Sequence, residues 1–327
     1  MLAASVLWGT TGTAATFAPD VSPLAIGAVA MGAGGLIQAA VAARSIREHA
    51  ASLRARWRTL LLGSLAVAMY PLAFYSSMHL AGVAVGTVVS IGSAPLASAV
   101  IERVMDKRLF TRRWTVGAVL GLTGAALLCF AESGAGQTGT GAHVGTQTGG
   151  SAGGFAAAGI ALGLLAGLTY ALYSWAAHRL MNSGLGDDSS NQGLPSAAAM
   201  GATFGLGGLL LMPVLALTGA PLTSSWQNLA VGAYMALVPM FAGYVLFGWG
   251  LARVHASTAT TISLAETVVA AVLAVLVVGE RLPAMAWAGA ALVAGSLFVT
   301  TLRSPSRPSE KAKVVPAGSA VTPTTAR

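Results

Sequence analysis

Charge is scarce in this chain: Asp, Glu, Lys and Arg make up only 9% of its 327 residues, against roughly 25% in soluble globular domains. An aqueous surface cannot be built from that inventory. Cysteine is scarcer still, with Cys129 alone, so an intramolecular disulfide is excluded and the redox compartment is unreadable. The five histidines are scattered, with none at zinc-ligand spacing, which speaks against a metal centre. Glycine pairs such as Gly149-Gly150 and Gly153-Gly154 lack the strand context and the Lys-Ser/Thr of a phosphate-binding loop. No cofactor is expected.

What the chain has in abundance is apolar length. The set AVILMFWYC makes up 55% of it, and the mean hydropathy is +0.73. Cutting at charges and turn residues leaves about ten apolar stretches of about 17 to 24 residues, the length that crosses a hydrocarbon core about 30 Å thick. They run roughly over 1–18, 22–43, 59–79, 82–102, 114–131, 155–178, 195–218, 228–250, 255–278 and 284–302. Short alternating segments of the kind that build a membrane β-barrel do not occur. The expectation is an all-α polytopic membrane protein with ten transmembrane helices.

The net charge of +8 would suit nucleic acid, but the placement of the basic residues fits membrane orientation instead. Lys and Arg accumulate in cytoplasmic loops. With ten spans and both termini inside, Arg281 is the one member of the 18 that falls outside. The chain opens directly on its first span, without a basic flank, and the second span follows too closely for a cleaved signal peptide. Either the native start lies a few residues upstream of Met1, or this helix is held by its neighbours.

Shifting the chain against itself by about 171 residues exposes a repeat. Leu80-Ala81-x-Val83-x3-Thr87-x3-Ile91 matches Leu251-Ala252-x-Val254-x3-Thr258-x3-Ile262, and Arg108-Leu109-x4-Trp114 matches Arg281-Leu282-x4-Trp287. Each copy holds five spans, and an odd number inverts the second copy relative to the first. The charge map independently puts the first Arg-Leu pair inside and the second outside. Inverted repeats are the architecture of alternating-access carriers, whose substrate site lies near the midplane between the copies.

Two motifs carry a family resemblance: Leu7-Trp8-Gly9-Thr10-Thr11-Gly12-Thr13 in the first span, and Ser263 to Gly295 with its Leu264-Ala265-Glu266-Thr267-Val268 and Gly279-Glu280-Arg281-Leu282. The chain resembles the drug/metabolite transporter superfamily, in particular its ten-span group with two EamA domains. That resemblance implies a secondary carrier, commonly an exporter of amino acids, related metabolites or drugs, with a cavity between its halves. Thr267 stands where the family often has proline, and Lys107 replaces the acid of the first turn motif. No arginine occurs near Ala30, where many members have one. That last departure speaks against an anionic substrate held by an intramembrane cation. The expected organisation is a first EamA repeat over 1–131, a flexible Gly-rich external linker over 132–154, a second repeat over 155–302 and a disordered basic cytoplasmic tail over 303–327.

Glu266 is the most informative side chain, because it falls within about 2 Å of the centre of its span at 1.5 Å rise per residue. A charge there costs roughly 2.5–3.5 kcal/mol on insertion scales, so it should face an interior cavity. Thr260, Ser263 and Thr267 share its half of the helical wheel. Glu266 either contacts a substrate amine or coupling proton, or acts as structural glue between helices. Among the aromatics of spans one, three, six and eight, Trp8 and Tyr244 are the best candidates for a cavity wall. Pro71 and Pro239 occupy equivalent places in spans three and eight and are hinge candidates. Glu280-Arg281 reads as a polar helix terminus, and Gly32-x-Gly34-Gly35 as an internal packing face.

The function expected is export of a small amino-acid or amine-like metabolite across the bacterial cytoplasmic membrane, by a monomer or homodimer, with protons as an available coupling ion. The contrasting readings are an intramembrane enzyme using Glu266, which has no second midplane acid or His to pair with, and a passive channel.

Overall fold

The computed structural model describes residues 1–81, 83–135, 152–182, 193–278 and 283–301. Glu280-Arg281, most of the Gly-rich linker and the basic tail lie outside those residues. Among the described residues every regular element is helical. Apart from two short helices, Ala43–Glu48 and Ala50–Ala55, the helices are α1 (Leu2–Gly9, continued by Thr11–Ala15), α2 (Pro23–Val41), α3 (Trp57–Ala81), α4 (Val83–Met105), α5 (Arg112–Ala135) and α6 (Ala152–Asn182). They are followed by α7 (Ser196–Thr218), α8 (Trp226–Leu251), α9 (Ala256–Val277) and α10 (Ala284–Thr301).

Seven of these, α2, α3, α4, α6, α7, α8 and α9, contain stretches long and apolar enough to cross a bilayer. Only about half of each stretch is buried against other helices, and the outward remainder is apolar too. Leu217 is 86% exposed and Leu276 75%, which a soluble monomer seldom tolerates on contiguous faces and a hydrocarbon solvent favours. This is a multi-pass membrane protein.

Local chemistry explains the helix ends and irregularities. Ser22 caps α2 by accepting from the Ala25 N–H at 3.2 Å, ahead of Pro23 in the first turn. Ser225 caps α8 in the same way through the Asn228 N–H. In α1 the Thr10 and Thr11 hydroxyls donate back to the Leu7 and Trp8 carbonyls at 2.6 and 2.7 Å, a competition that interrupts the regular ladder at Thr10. Among the described residues three segments are π-helical: Val29–Ala33 in α2, Ala236–Ala242 around Pro239 in α8, and Ala274–Val278 at the end of α9.

Packing interleaves the two parts of the chain. The most extensive contacts are α3 on α6 and α5 on α10, with α2 on α7 and α1 on α9. Small residues let the backbones approach. A Cβ at Gly124 would come within 2.6 Å of the Gly289 carbonyl, and one at Gly289 equally close to that of Gly124. Gly32 and Gly34 face α7 and α8, so this glycine face is internal.

Candidate functional site

The interleaving brings α1, α2, α3, α6, α8 and α9 around one central cavity. Its wall starts at Trp8. The indole Nε1 donates to the Pro239 carbonyl at 2.9 Å, inside the π-helical segment of α8, where proline has removed a donor from the helical ladder. Gly243 makes room for this contact, since a Cβ there would lie 2.8 Å from Trp8 Nε1. One residue further on, Tyr244 packs its ring 4.9 Å from that of Trp8, and Phe247 supports the indole from below at 5.2 Å.

The tyrosines of α3 and α6 continue the wall. Tyr170 stacks on Tyr173 at 5.2 Å and packs against Tyr70 at 5.6 Å. Its hydroxyl donates to Ser263 Oγ at 2.9 Å, and Ser263 donates onward to the Thr260 carbonyl. The Tyr173 and Tyr244 hydroxyls pair at 2.8 Å. Edge and tilted ring pairs of this kind hold one another in place by about 0.5–1.5 kcal/mol each beyond simple burial.

Glu266, from the second segment of α9, completes the cavity. Among the described residues no group donates a hydrogen bond to its carboxyl, and it lines the same space as Tyr70, Tyr170 and Tyr244. The space open to the centre of a water-sized sphere is about 70 Å³. One water needs about 10–15 Å³ by that measure, so the cavity holds a few small groups. Of the residues singled out from sequence, Glu266, Trp8, Tyr244 and Pro71 line it. Ser263 sits behind it as the acceptor that orients Tyr170. Thr267 does not line it; its hydroxyl donates to the Leu264 carbonyl of its own helix at 2.7 Å. Pro239 contributes through its carbonyl.

A second polar cluster lies at the end of α4; the repeat and turn motifs mark Arg108 and Lys107, but not the acids they surround. Glu102 is 2% exposed. Its carboxylate accepts from Arg108 Nη1 at 2.6 Å, from the Ser257 amide at 2.9 Å and from the Ser257 hydroxyl at 2.8 Å. It thus caps the N-terminus of α9 from another helix, the position where a negative charge is favoured. Lys107 takes a left-handed φ of 52°, turning Arg108 back onto Glu102. Next to it, Asp106 accepts from Trp175 Nε1 at 2.8 Å and from Arg179 at 2.7 Å. His255, in the turn before α9, stacks on His178 at 5.4 Å. Partial burial, and then the Arg108 guanidinium, hold the His255 imidazole below its usual pKa. The one sequence signal for its acids is their place among basic residues at the edge of span four.

Comparison with known proteins bears on the whole bundle. Residues 1–130 and 157–302 match the model of the EamA-like transporter family. The uncharacterized transporter YwfM of Bacillus subtilis (strain 168) is 31% identical over 304 residues, covering 91% of each chain. A solved crystal structure of 19% identity superposes with a TM-score of 0.68 over 92% of this chain and 94% of its own, a likeness of fold.

Proposed function

We infer the function from one premise: this chain belongs to the EamA-like transporter family, and it is a transporter rather than an enzyme. On that basis it is a secondary carrier with ten spans, arranged as two inverted repeats of five with both termini in the cytoplasm of a bacterium. It exports a small amino-acid or amine-like metabolite by alternating access. The observation that carries this reading is the central cavity, walled by helices from both parts of the chain and lined by aromatic residues and a carboxyl that has no partner among the described residues. Carrier sites at repeat interfaces have this form.

In this reading Glu266 contacts the solute or its coupling proton. Trp8 and Tyr244 shape the wall, and Ser263 aligns Tyr170. Pro71 and Pro239 act as hinges; the π-helical turn at Pro239, held by Trp8, supports that role because such bulges are pliable points in a helix. The Glu102 cluster ties α4 to α6 and α9 and closes the bundle at the face richest in Arg.

The test is counterflow in proteoliposomes preloaded with pooled amino acids and amines. Labelled solute should accumulate with the native protein, with at least about a tenfold lower rate for Glu266→Gln. Equal counterflow by both proteins would remove Glu266 from the mechanism, and none by either would remove the carrier reading for those solutes.

A further inference from the structure

We propose that the cavity selects a small organic monocation, an amine or methylated ammonium without a carboxylate, over an amino acid. The inference rests on the transport reading and narrows its substrate class. It follows from which hydrogen-bonding groups on the wall are already engaged and which are open.

The donors are mostly engaged. Trp8 Nε1 is bonded to the Pro239 carbonyl, the Thr11 hydroxyl to the Trp8 carbonyl, and the Tyr170 hydroxyl to Ser263. Tyr244 and Tyr173 share a single hydrogen bond, which engages the donor of only one of them. The open donors are hydroxyls, those of Tyr70 and Tyr75 and, when it accepts from Tyr173, that of Tyr244, and none carries a positive charge. Among the described residues no Lys, Arg or His lines the cavity. The acceptor side is the reverse: the Glu266 carboxyl receives no hydrogen bond from a described residue, and Trp8, Tyr70, Phe74, Tyr75, Tyr170 and Tyr244 line the same space.

A cation entering this space meets the Glu266 carboxyl, which balances its charge once ionised, and a wall of aromatic side chains. An aromatic ring that turns its face to a desolvated ammonium attracts it. An amino acid brings the same ammonium and a second carboxylate, which would be buried without a cationic partner, an arrangement that folded proteins avoid because desolvation goes uncompensated. The small volume restricts the solute further, to a few heavy atoms in this conformation.

The experiment compares ethylamine, alanine methyl ester, alanine and propionate, a series in which the ammonium is kept while the carboxylate is absent, masked or free. Two readouts are taken on the full chain: tryptophan fluorescence in detergent, assigned to Trp8 among the seven tryptophans by Trp8→Phe, and competition for counterflow in proteoliposomes. Ethylamine and the ester should shift the fluorescence and compete at concentrations at least about tenfold below alanine, with propionate inert. Glu266→Gln should abolish the difference and Glu266→Asp should keep it, each checked for an unchanged melting curve. If alanine matches or exceeds its ester, or if no member of the series shifts the fluorescence, the cation site is overturned. If the amines bind with this selectivity but no counterflow occurs, the cation site stands and the carrier reading fails.

Discussion

Two glutamates sit inside this bundle in opposite circumstances. Glu102 is buried with a guanidinium, a backbone amide and a hydroxyl all directed at its carboxylate, so its oxygens are committed to holding α4 on α9. Glu266 is set among aromatic rings with no such partner among the described residues. The difference teaches that burial of an acid is not by itself a sign of function. A satisfied carboxylate is consistent with architecture, whereas an unsatisfied one facing a cavity leaves its hydrogen-bonding capacity for something that arrives.

The comparison breaks most visibly at Glu102. Glu102→Ala leaves Arg108 and the first turn of α9 without their counter-charge; a fully buried pair loses about 3–5 kcal/mol in this way, and Arg108, 27% exposed, sets the loss at the lower end of that range. A large drop in the melting temperature of the detergent-solubilised protein is therefore expected. Glu266→Gln, which removes no hydrogen bond from a described residue, should change stability by under about 1 kcal/mol. If the two variants melt alike, the contrast between the residues is wrong.

A smaller effect is expected at the junction of Trp8 and α8. Gly243→Ala drives a methyl into the indole, and overpacking of this kind costs about 1–3 kcal/mol. The variant should also lose solute counterflow, because the displaced Trp8 gives up its bond to the Pro239 carbonyl. A native melting curve with native counterflow would show that the indole has room to move.

The smallest effect is pH dependence at the Glu102 end. His255 has a folded-state pKa below its unfolded value, so the unfolded chain binds the proton more readily. Its contribution is fully present above the unfolded pKa of about 6.5 and is lost as pH falls towards the folded value. Melting temperature should decline modestly between about pH 7 and pH 5, with Glu102, Asp106, Arg108 and His178 setting the local field. His255→Gln should flatten that decline, and an unchanged slope would assign it elsewhere.

How much of this was legible in the residues depends on the range of the interaction. Glu266 declares itself because a carboxyl in the middle of a long apolar run has one economical place to go, an interior space. Trp8 stands in a motif, and Tyr244 lies well inside its span. Thr267 shares a helical face with Glu266, but in the second segment of α9 its hydroxyl turns to its own backbone. Periodicity assigns a face and leaves the rotamer open. Glu102 was illegible because its meaning lies in Ser257, 155 positions away.

Apolar length and the scarcity of charge were enough to require a helical membrane protein, since lipid leaves the backbone no other partner than itself. Which helices meet was settled by close packing between small residues such as Gly124 and Gly289 and by a few long-range polar bonds. Those terms are short-ranged, and they exist only once the chain has folded.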